Sequence, residues 1–328
     1  MRTKIVYVLI SSGNDIYIEQ AYMSMWSCRY YNPEANIVLV TDSDTMPHLE
    51  KYPEMKTLIS EFSIHEFKPE ISNFERSRFL KTSLRPIVEG DFLFVDTDTI
   101  FCDSVKEIDS ETADIAMVEN MHDSSLLVSP YRKRVGRRFY NLYGTKLNED
   151  STYYNSGVVY SKDSQLSRAF YIDWHMNWLN SKNKPQGMFD QPALMKTLLT
   201  HPNYIRPLNG IYNVQISASI EYLYSGKIIH FFNVNLKKNT IHPFLDRSYY
   251  IRIKQYEDLF DEVKLDITNC KNLFVSPTCI VGPENAAFWN SSSCIALKNI
   301  QNYKILATPI NTFLKVTNKV LSFITQHI

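Results

Sequence analysis

Asp91-Phe92-Leu93-Phe94-Val95-Asp96-Thr97-Asp98-Thr99-Ile100-Phe101 is the stretch on which the fold turns. Phe92 to Val95 is apolar at every position, the pattern of a strand inside a sheet with both faces covered. Two carboxylates follow directly. Residues i and i+2 of a strand point the same way, so Asp96 and Asp98 are expected to face one cation. The carboxyl ends of strands in an open α/β sheet line the crevice where ligands bind.

Upstream, Lys4 to Ile10 is a short β-branched run that reads as a buried strand. The turn Ser11-Ser12-Gly13-Asn14-Asp15 leads into a helical stretch from about Ile16 to Tyr30, and Asn36 to Val40 is the next strand. This β-α-β order predicts an α/β fold with a mostly parallel sheet, Rossmann-like in outline. One glycine in the first turn excludes the Gly-rich dinucleotide fingerprint. A helix is expected from Phe74 to Val88, strands at Ile115 to Val118, Gly157 to Tyr160 and Lys227 to Phe232, and helices at Ser164 to Asn180 and Gln191 to Leu199. The pattern changes near residue 245. The expected division is therefore a main α/β domain over 1–245 and a mainly helical extension over 246–328.

Composition narrows the function classes. Thirty-five basic and 35 acidic residues cancel, so no global field draws nucleic acid to the chain. The five cysteines are widely spaced and form no C-x-x-C pair, which favours a reducing compartment and gives no disulfide framework. Ile5 to Ile10 is too short for a signal peptide. The expected location is the cytoplasm.

Asp-x-Asp by itself is a weak signal, and the chain holds a second copy, Asp42-Ser43-Asp44. That copy reads as an acidic turn capping a strand. Asp96 and Asp98 differ in context: an all-apolar strand precedes them, and the helix before it carries Arg78 and Lys81, cations suited to phosphate or ribose. Breaking a sugar–diphosphate bond builds negative charge on the leaving group, and a carboxylate-held divalent cation neutralises it.

Arg78, the strand Phe92-Leu93-Phe94-Val95 and Asp96-Thr97-Asp98-Thr99 resemble the donor-site core of glycosyltransferase family 8 and related transferases. Asn155-Ser156-Gly157-Val158-Val159 resembles the family's Asn-x-Gly-Val segment, Asp190-Gln191 its Asp-Gln pair, and His230 its late metal-binding histidine. The resemblance implies a GT-A fold and transfer of a hexosyl group from a nucleotide-diphosphate sugar, UDP-linked in this family. It implies that Asp96 touches ribose and metal, and that Asp98 and His230 complete the metal site. Asn155, Asp190 and Gln191 would contact the transferred sugar. Arg78, Lys81, Ser11 and Asn14 would line the nucleotide. An imidazole among carboxylates suits Mn²⁺ better than Mg²⁺. The family's Gly-x-x-Lys-Pro-Trp is replaced by Phe231-Phe232-Asn233-Val234-Asn235-Leu236-Lys237-Lys238, where Lys237 or Lys238 would stand for its phosphate lysine, and its acidic first-strand residue is replaced by Ser11, Ser12 and Asn14. Family 8 enzymes retain the anomeric configuration. An inverting enzyme would need a general base, for which Asp190 is available.

Two rival readings come from other classes. One is a non-catalytic sugar-nucleotide binding protein. The other is a haloacid-dehalogenase-type phosphatase, which also begins with a hydrophobic strand and Asp-x-Asp but needs a later acidic pair; the chain has no adjacent Asp-Asp. The acceptor expected for a transferase is a saccharide or a lipid-linked saccharide. Tyr131-Arg132-Lys133-Arg134-Val135-Gly136-Arg137-Arg138 is the densest basic run, either a solvated helix face or a patch for phosphate-bearing groups. From Asn285 to Ile328 there are four lysines and no acid, and Ile310, Phe313, Leu314, Val320, Leu321 and Ile324 recur at helical spacing opposite Lys315 and Lys319. Such a helix either packs on the catalytic domain or contacts the inner membrane face peripherally.

Overall fold

The computed structural model describes residues 1–122, 130–147, 151–202, 204–217, 221–232, 234, 242–273, 291–301 and 303–326. In chain order the elements are β1 (Lys4–Leu9), α1 (Tyr17–Tyr31), β2 (Ile37–Asp42), α2 (Met46–Leu49), α3 (Pro53–Leu58), β3 (Glu61–His65), α4 (Asn73–Thr82), α5 (Leu84–Ile87), β4 (Phe92–Val95) and β5 (Thr99–Phe101). There follow β6 (Ile115–Glu119), α6 (Pro130–Tyr143), β7 (Tyr154–Ser161), α7 (Gln165–Ser181), α8 (Asp190–Thr200), β8 (Ile205–Pro207), β9 (Val214–Gln215), β10 (Ile228–His230), α9 (Arg247–Tyr256) and α10 (Asp261–Thr268). Met1–Leu126 with Gly136–Cys279 forms one compact unit, and Leu127–Val135 with Ile280–Ile328 forms another.

The first unit is built on a seven-stranded sheet in the order β3-β2-β1-β4-β7-β6-β8. Only β7 runs against the rest, pairing antiparallel with β4 and β6. The chain moves outward from β1 through β2 and β3, then returns to lay β4 on the other side of β1. That reversal opens a crevice at the carboxyl ends of β1 and β4. Both faces of the sheet are covered, which explains the unbroken apolar runs. Ile5, Tyr7, Leu9, Leu39, Leu93 and Val95 pack in one core with Tyr22 and Met25 of α1 and Tyr250 and Ile253 of α9. On the opposite face Phe92 meets Tyr171 of α7 edge-on, and the Arg85 guanidinium lies over its ring.

The helix expected over Phe74 to Val88 is broken at Ser83 into α4 and α5. In a continuous helix the Pro86 ring would collide with the Thr82 carbonyl. Ser83 Oγ instead donates to Phe79 O at 2.6 Å and closes α4.

A small second sheet, β5-β10-β9, lies beyond the end of β4. β5 runs antiparallel to β10 in a register that sets Thr99 opposite His230. β9 runs parallel to β10 and sets Gln215 beside His230.

The second unit contains the helices Ser292–Gln301 and Lys304–Gln326, with Pro309 inside the latter. Ile305, Phe313, Leu314, Lys315 and Val316 are exposed. No helix among the described residues is long and apolar enough to cross a membrane.

Candidate metal and donor site

Asp96 and Asp98 lie in the turn between β4 and β5, not within a strand. This corrects the reason for their convergence: the turn directs both side chains, and strand alternation plays no part. Asp96 N donates to Gly157 O at 2.7 Å, and Thr99 Oγ1 donates to Asp96 O at 2.8 Å. Phe231 N donates to Asp98 O at 2.8 Å. These bonds carry the β5–β10 register onto the turn and bring His230 to the carboxylates. His230 Nε2 stands 3.1 Å from Asp98 Oδ1 and 4.0 Å from Asp96 Oδ2. One ligand atom from each of Asp96, Asp98 and His230 falls within 4.8 Å of the others.

The donor set could hold a divalent cation: two carboxylates and one imidazole, with the imidazole fixed from behind. His230 Nδ1 is 3.0 Å from Asn213 Oδ1. An amide oxygen only accepts, so Nδ1 carries the proton there and Nε2 is left for the carboxylates. Gly157 makes the space. A Cβ at that position would sit 2.2 Å from His230 Cε1. The glycine of Asn155-Ser156-Gly157 is therefore a steric requirement of the histidine.

Asn213 also starts a chain of amides. Its Nδ2 donates to Asn155 Oδ1 at 3.0 Å, and Gly157 N donates to the same oxygen at 2.8 Å. Asn155 Nδ2 donates to Asn120 Oδ1 at 3.1 Å. Gln191 Nε2 reaches the same Asn120 oxygen at 3.3 Å and Tyr154 O at 3.1 Å. Asn155 and Gln191 are thus oriented by one buried network that ends on His230. Sequence reasoning missed Asn120 and Asn213. Each is an isolated asparagine beside a short strand, and only the fold makes it a neighbour of the site.

Asp190 opens α8, but its carboxylate does not cap the helix. Ser156 Oγ donates to Asp190 Oδ2 at 2.6 Å. Lys81 Nζ lies 3.4 Å from Asp190 Oδ2, and Arg78 Nε lies 3.1 Å from Oδ1, an ion pair off the line of a hydrogen bond. Burial alone would raise the Asp190 pKa; the charges of Lys81 and Arg78 and the Ser156 bond outweigh it and hold the carboxyl well below the usual range. Lys81, itself buried, also donates to both oxygens of Asp96 at 3.0 and 3.2 Å. It ties the carboxylate after β4 to the one that opens α8. At the His230–Asp98 pair burial opposes ionisation of both groups, and their mutual attraction prevails: the Asp98 pKa is lowered and the His230 pKa is raised.

Ser11 and Asn14 follow β1, at the same sheet edge as Asp96. The Ser11 hydroxyl is engaged, donating to Asp15 Oδ1 at 2.7 Å, while Asn14 is exposed. Lys254 Nζ of α9 donates to Gly13 O at 2.7 Å and to Asp15 O, pinning this turn from a distant part of the chain. Lys237 and Lys238 lie outside the described residues. In the basic run, Arg138 lies 4.9 Å over the Phe189 ring and its Nε donates to Gln186 Oε1 at 3.0 Å.

No family model matches the sequence, and no curated protein matches it. Among solved structures, the chain aligns with the galactosyltransferase LgtC, solved in complex with donor and acceptor sugar analogues, at TM-score 0.51 and 12% identity over 80% of this chain and 99% of that one. It aligns with mouse xyloside xylosyltransferase 1, in its apo form, at TM-score 0.47 and 13% identity over 70% of this chain and 97% of that one. At such identity the likeness to LgtC concerns architecture: the chain has the GT-A fold, a mostly parallel central sheet flanked by helices.

Proposed function

We propose that this protein is a metal-assisted glycosyltransferase that moves a hexosyl group from a nucleotide-diphosphate sugar, UDP-linked, to a saccharide or lipid-linked acceptor. The observation that carries this reading is the Asp96–Asp98–His230 group at the carboxyl edge of the sheet, next to the Lys81–Asp190–Arg78 cluster. The 1–245 segment holds all of these groups.

Asp96, Asp98 and His230 hold the cation, Mn²⁺ in preference to Mg²⁺. Bound there, it supplies positive charge to the departing diphosphate. Asn213 keeps His230 in the ligating tautomer. Asp96 additionally meets the ribose, and the turn bearing Ser11 and Asn14 meets the base. Arg78 and Lys81 fix Asp190 and lend positive potential to the phosphate side of the crevice. Asn155 and Gln191, held by Asn120, take the transferred sugar's hydroxyls. Asp190 stays ionised because of its cations, so it is a persistent acceptor for a sugar hydroxyl. The same ionisation makes it a weak base, since efficient proton transfer needs a pKa near the working pH. That favours retention, with the departing phosphate taking the acceptor proton. The tail helix Lys304–Gln326 seats the enzyme peripherally on an anionic surface; exposed Phe313, Leu314 and Val316 beside Lys315 support this.

The test is incubation of the purified chain with Mn²⁺ and a panel of sugar nucleotides. Slow hydrolysis of one UDP-sugar, abolished by a chelator, is expected. Tight nucleotide binding without turnover would instead indicate the binding protein, and phosphate release from monoesters the phosphatase. Flotation with anionic and neutral liposomes at low and high salt tests the tail, with binding expected only to anionic vesicles at low salt.

A further inference from the structure

Cys102 and Cys270 are 168 residues apart in the chain, and their Sγ atoms are 3.0 Å apart. Both are free thiols. Cys102 comes directly after β5, and its N donates to Lys227 O at 2.8 Å, which fixes it to the residue before β10. Cys270 lies just past α10. Its carbonyl accepts from His242 Nε2 at 2.8 Å, inside the core that also holds Ile253 and Ile267. Two anchored segments therefore present their sulfurs to each other. About 1 Å of movement separates this contact from the ~2.05 Å of a covalent S–S bond.

We propose that Cys102 and Cys270 form a reversible disulfide site, oxidised by exchange with a low-molecular-weight disulfide of the glutathione type. In the first step one thiolate attacks a sulfur of glutathione disulfide, giving a protein–glutathione mixed disulfide and one reduced glutathione. In the second the neighbouring thiolate attacks the protein sulfur of that adduct, forming the Cys102–Cys270 bond and expelling the second glutathione. Two protein thiols lose two electrons and two protons, and one glutathione disulfide becomes two thiols. Burial pushes the Cys102 thiol well above its ordinary pKa, so exchange is slow at neutral pH and quickens as pH rises.

The bond would act on stability, not on the chemistry. It closes a long loop, and long loops give a cross-link its largest hold on the unfolded chain. It also joins β5, which leaves the Asp98 turn, to the α9–α10 region that carries Lys254 to the first turn. Cys102 Sγ bonds to Ile100 O and to Cys270 Sγ, and to none of Asp96, Asp98, His230 or Asp190.

The full-length protein is incubated with glutathione disulfide at mildly alkaline pH. Free thiols are alkylated, and the chain is digested without reduction for mass spectrometry. Expected is one peptide pair joining Cys102 to Cys270, two hydrogens lighter than the reduced peptides and split by dithiothreitol. The melting temperature should rise by about 5 °C relative to the reduced protein. Cys102→Ser and Cys270→Ser should each melt near the reduced wild type and show no rise on oxidation. Recovery of both cysteines alkylated, a stable glutathione adduct on either, or linkage of either to another cysteine would overturn the proposal; each is read on the wild-type chain and needs no variant.

Discussion

Asp42-Ser43-Asp44 and Asp96-Thr97-Asp98 are the same pattern at the ends of two strands that flank β1, yet their surroundings give them opposite characters. Asp42 is 1% exposed and its oxygens are consumed: Oδ1 accepts from Thr45 N at 2.9 Å and Oδ2 from Arg76 Nη1 at 2.8 Å. Asp44 accepts from the same Arg76 nitrogen at 2.5 Å. A guanidinium stays charged at any working pH, so nothing there makes way for a metal ion. Asp98 faces His230, which can release a proton and then offer a lone pair. The difference is between a closed ion pair and an exchangeable one, and it lies in the partner cation, not in the carboxylates.

Exchanging one oxygen for nitrogen in each pair is the harshest way to break that comparison. Asp98→Asn should lower transfer by about 10³-fold or more and remove Mn²⁺-dependent nucleotide binding, with the circular dichroism spectrum unchanged. Asp44→Asn should leave the rate within about twofold. Equal losses in the two variants would mean that the pairs are not functionally distinct. The converse experiment acts on stability. Arg76→Ala leaves the buried Asp42 carboxylate without its cation and should cost about 3–5 kcal/mol in a denaturant titration. A loss below about 1 kcal/mol would show that Asp42 can rehydrate or protonate cheaply.

The sheet was legible because its central strands are apolar at successive positions, and the run Phe92 to Val95 by itself places Asp96 at a crevice. β3 was not: its residues Glu61–His65 form a half-exposed edge with no apolar run. The antiparallel direction of β7 was equally hidden, since Tyr154–Ser161 is buried throughout and burial carries no direction. At the site, carboxylates and the histidine could be picked out by residue type and order. Asn120 and Asn213 could not, because an asparagine that orients a neighbour differs in sequence in no way from one that closes a loop. The same holds for Cys102 and Cys270, whose separation argued against any pairing until the fold brought them together.

Asn213 gives a sharper test of the exchangeable pair. It touches no proposed ligand-bearing carboxylate; it reaches the metal site through the His230 tautomer and the sugar-contacting amides through its bond to Asn155. Asn213→Leu should weaken Mn²⁺ binding about 10–100-fold, measured by electron paramagnetic resonance of the free ion, as is usual for loss of a group behind a metal-ligating histidine. The weakening should persist without nucleotide, which separates it from damage to the Asn155 and Gln191 contacts. Unchanged Mn²⁺ affinity would detach Asn213 from the metal site.

The smallest effect is the pH dependence, which the Asp98–His230 pair is expected to show and the Arg76 pair is not. Burial by itself would lower the His230 pKa; the Asp98 charge and hydrogen bond, helped by Asp96, raise it above the ordinary 6.5. In the metal-free protein this pair stabilises the fold fully below pH 6.5 and loses that contribution as pH rises through the raised value. Asp98 is shifted the other way, so its contribution is present above 3.8 and fades as pH falls through the lowered value. Metal binding opposes the first trend, because the ion must displace the Nε2 proton. Mn²⁺ affinity should therefore rise about tenfold per pH unit below the His230 pKa and level off above it, as one proton leaves per ion bound. Denaturation midpoints taken with a chelator should decline over the same interval, and Asp98→Asn should abolish that decline by removing the charge that raises His230. Asp44→Asn should leave it untouched, since Arg76 does not titrate there. An Mn²⁺ affinity that is flat across neutral pH would mean that His230 gives up no proton to the ion, and the group after β4 would then be a salt bridge like the one after β2.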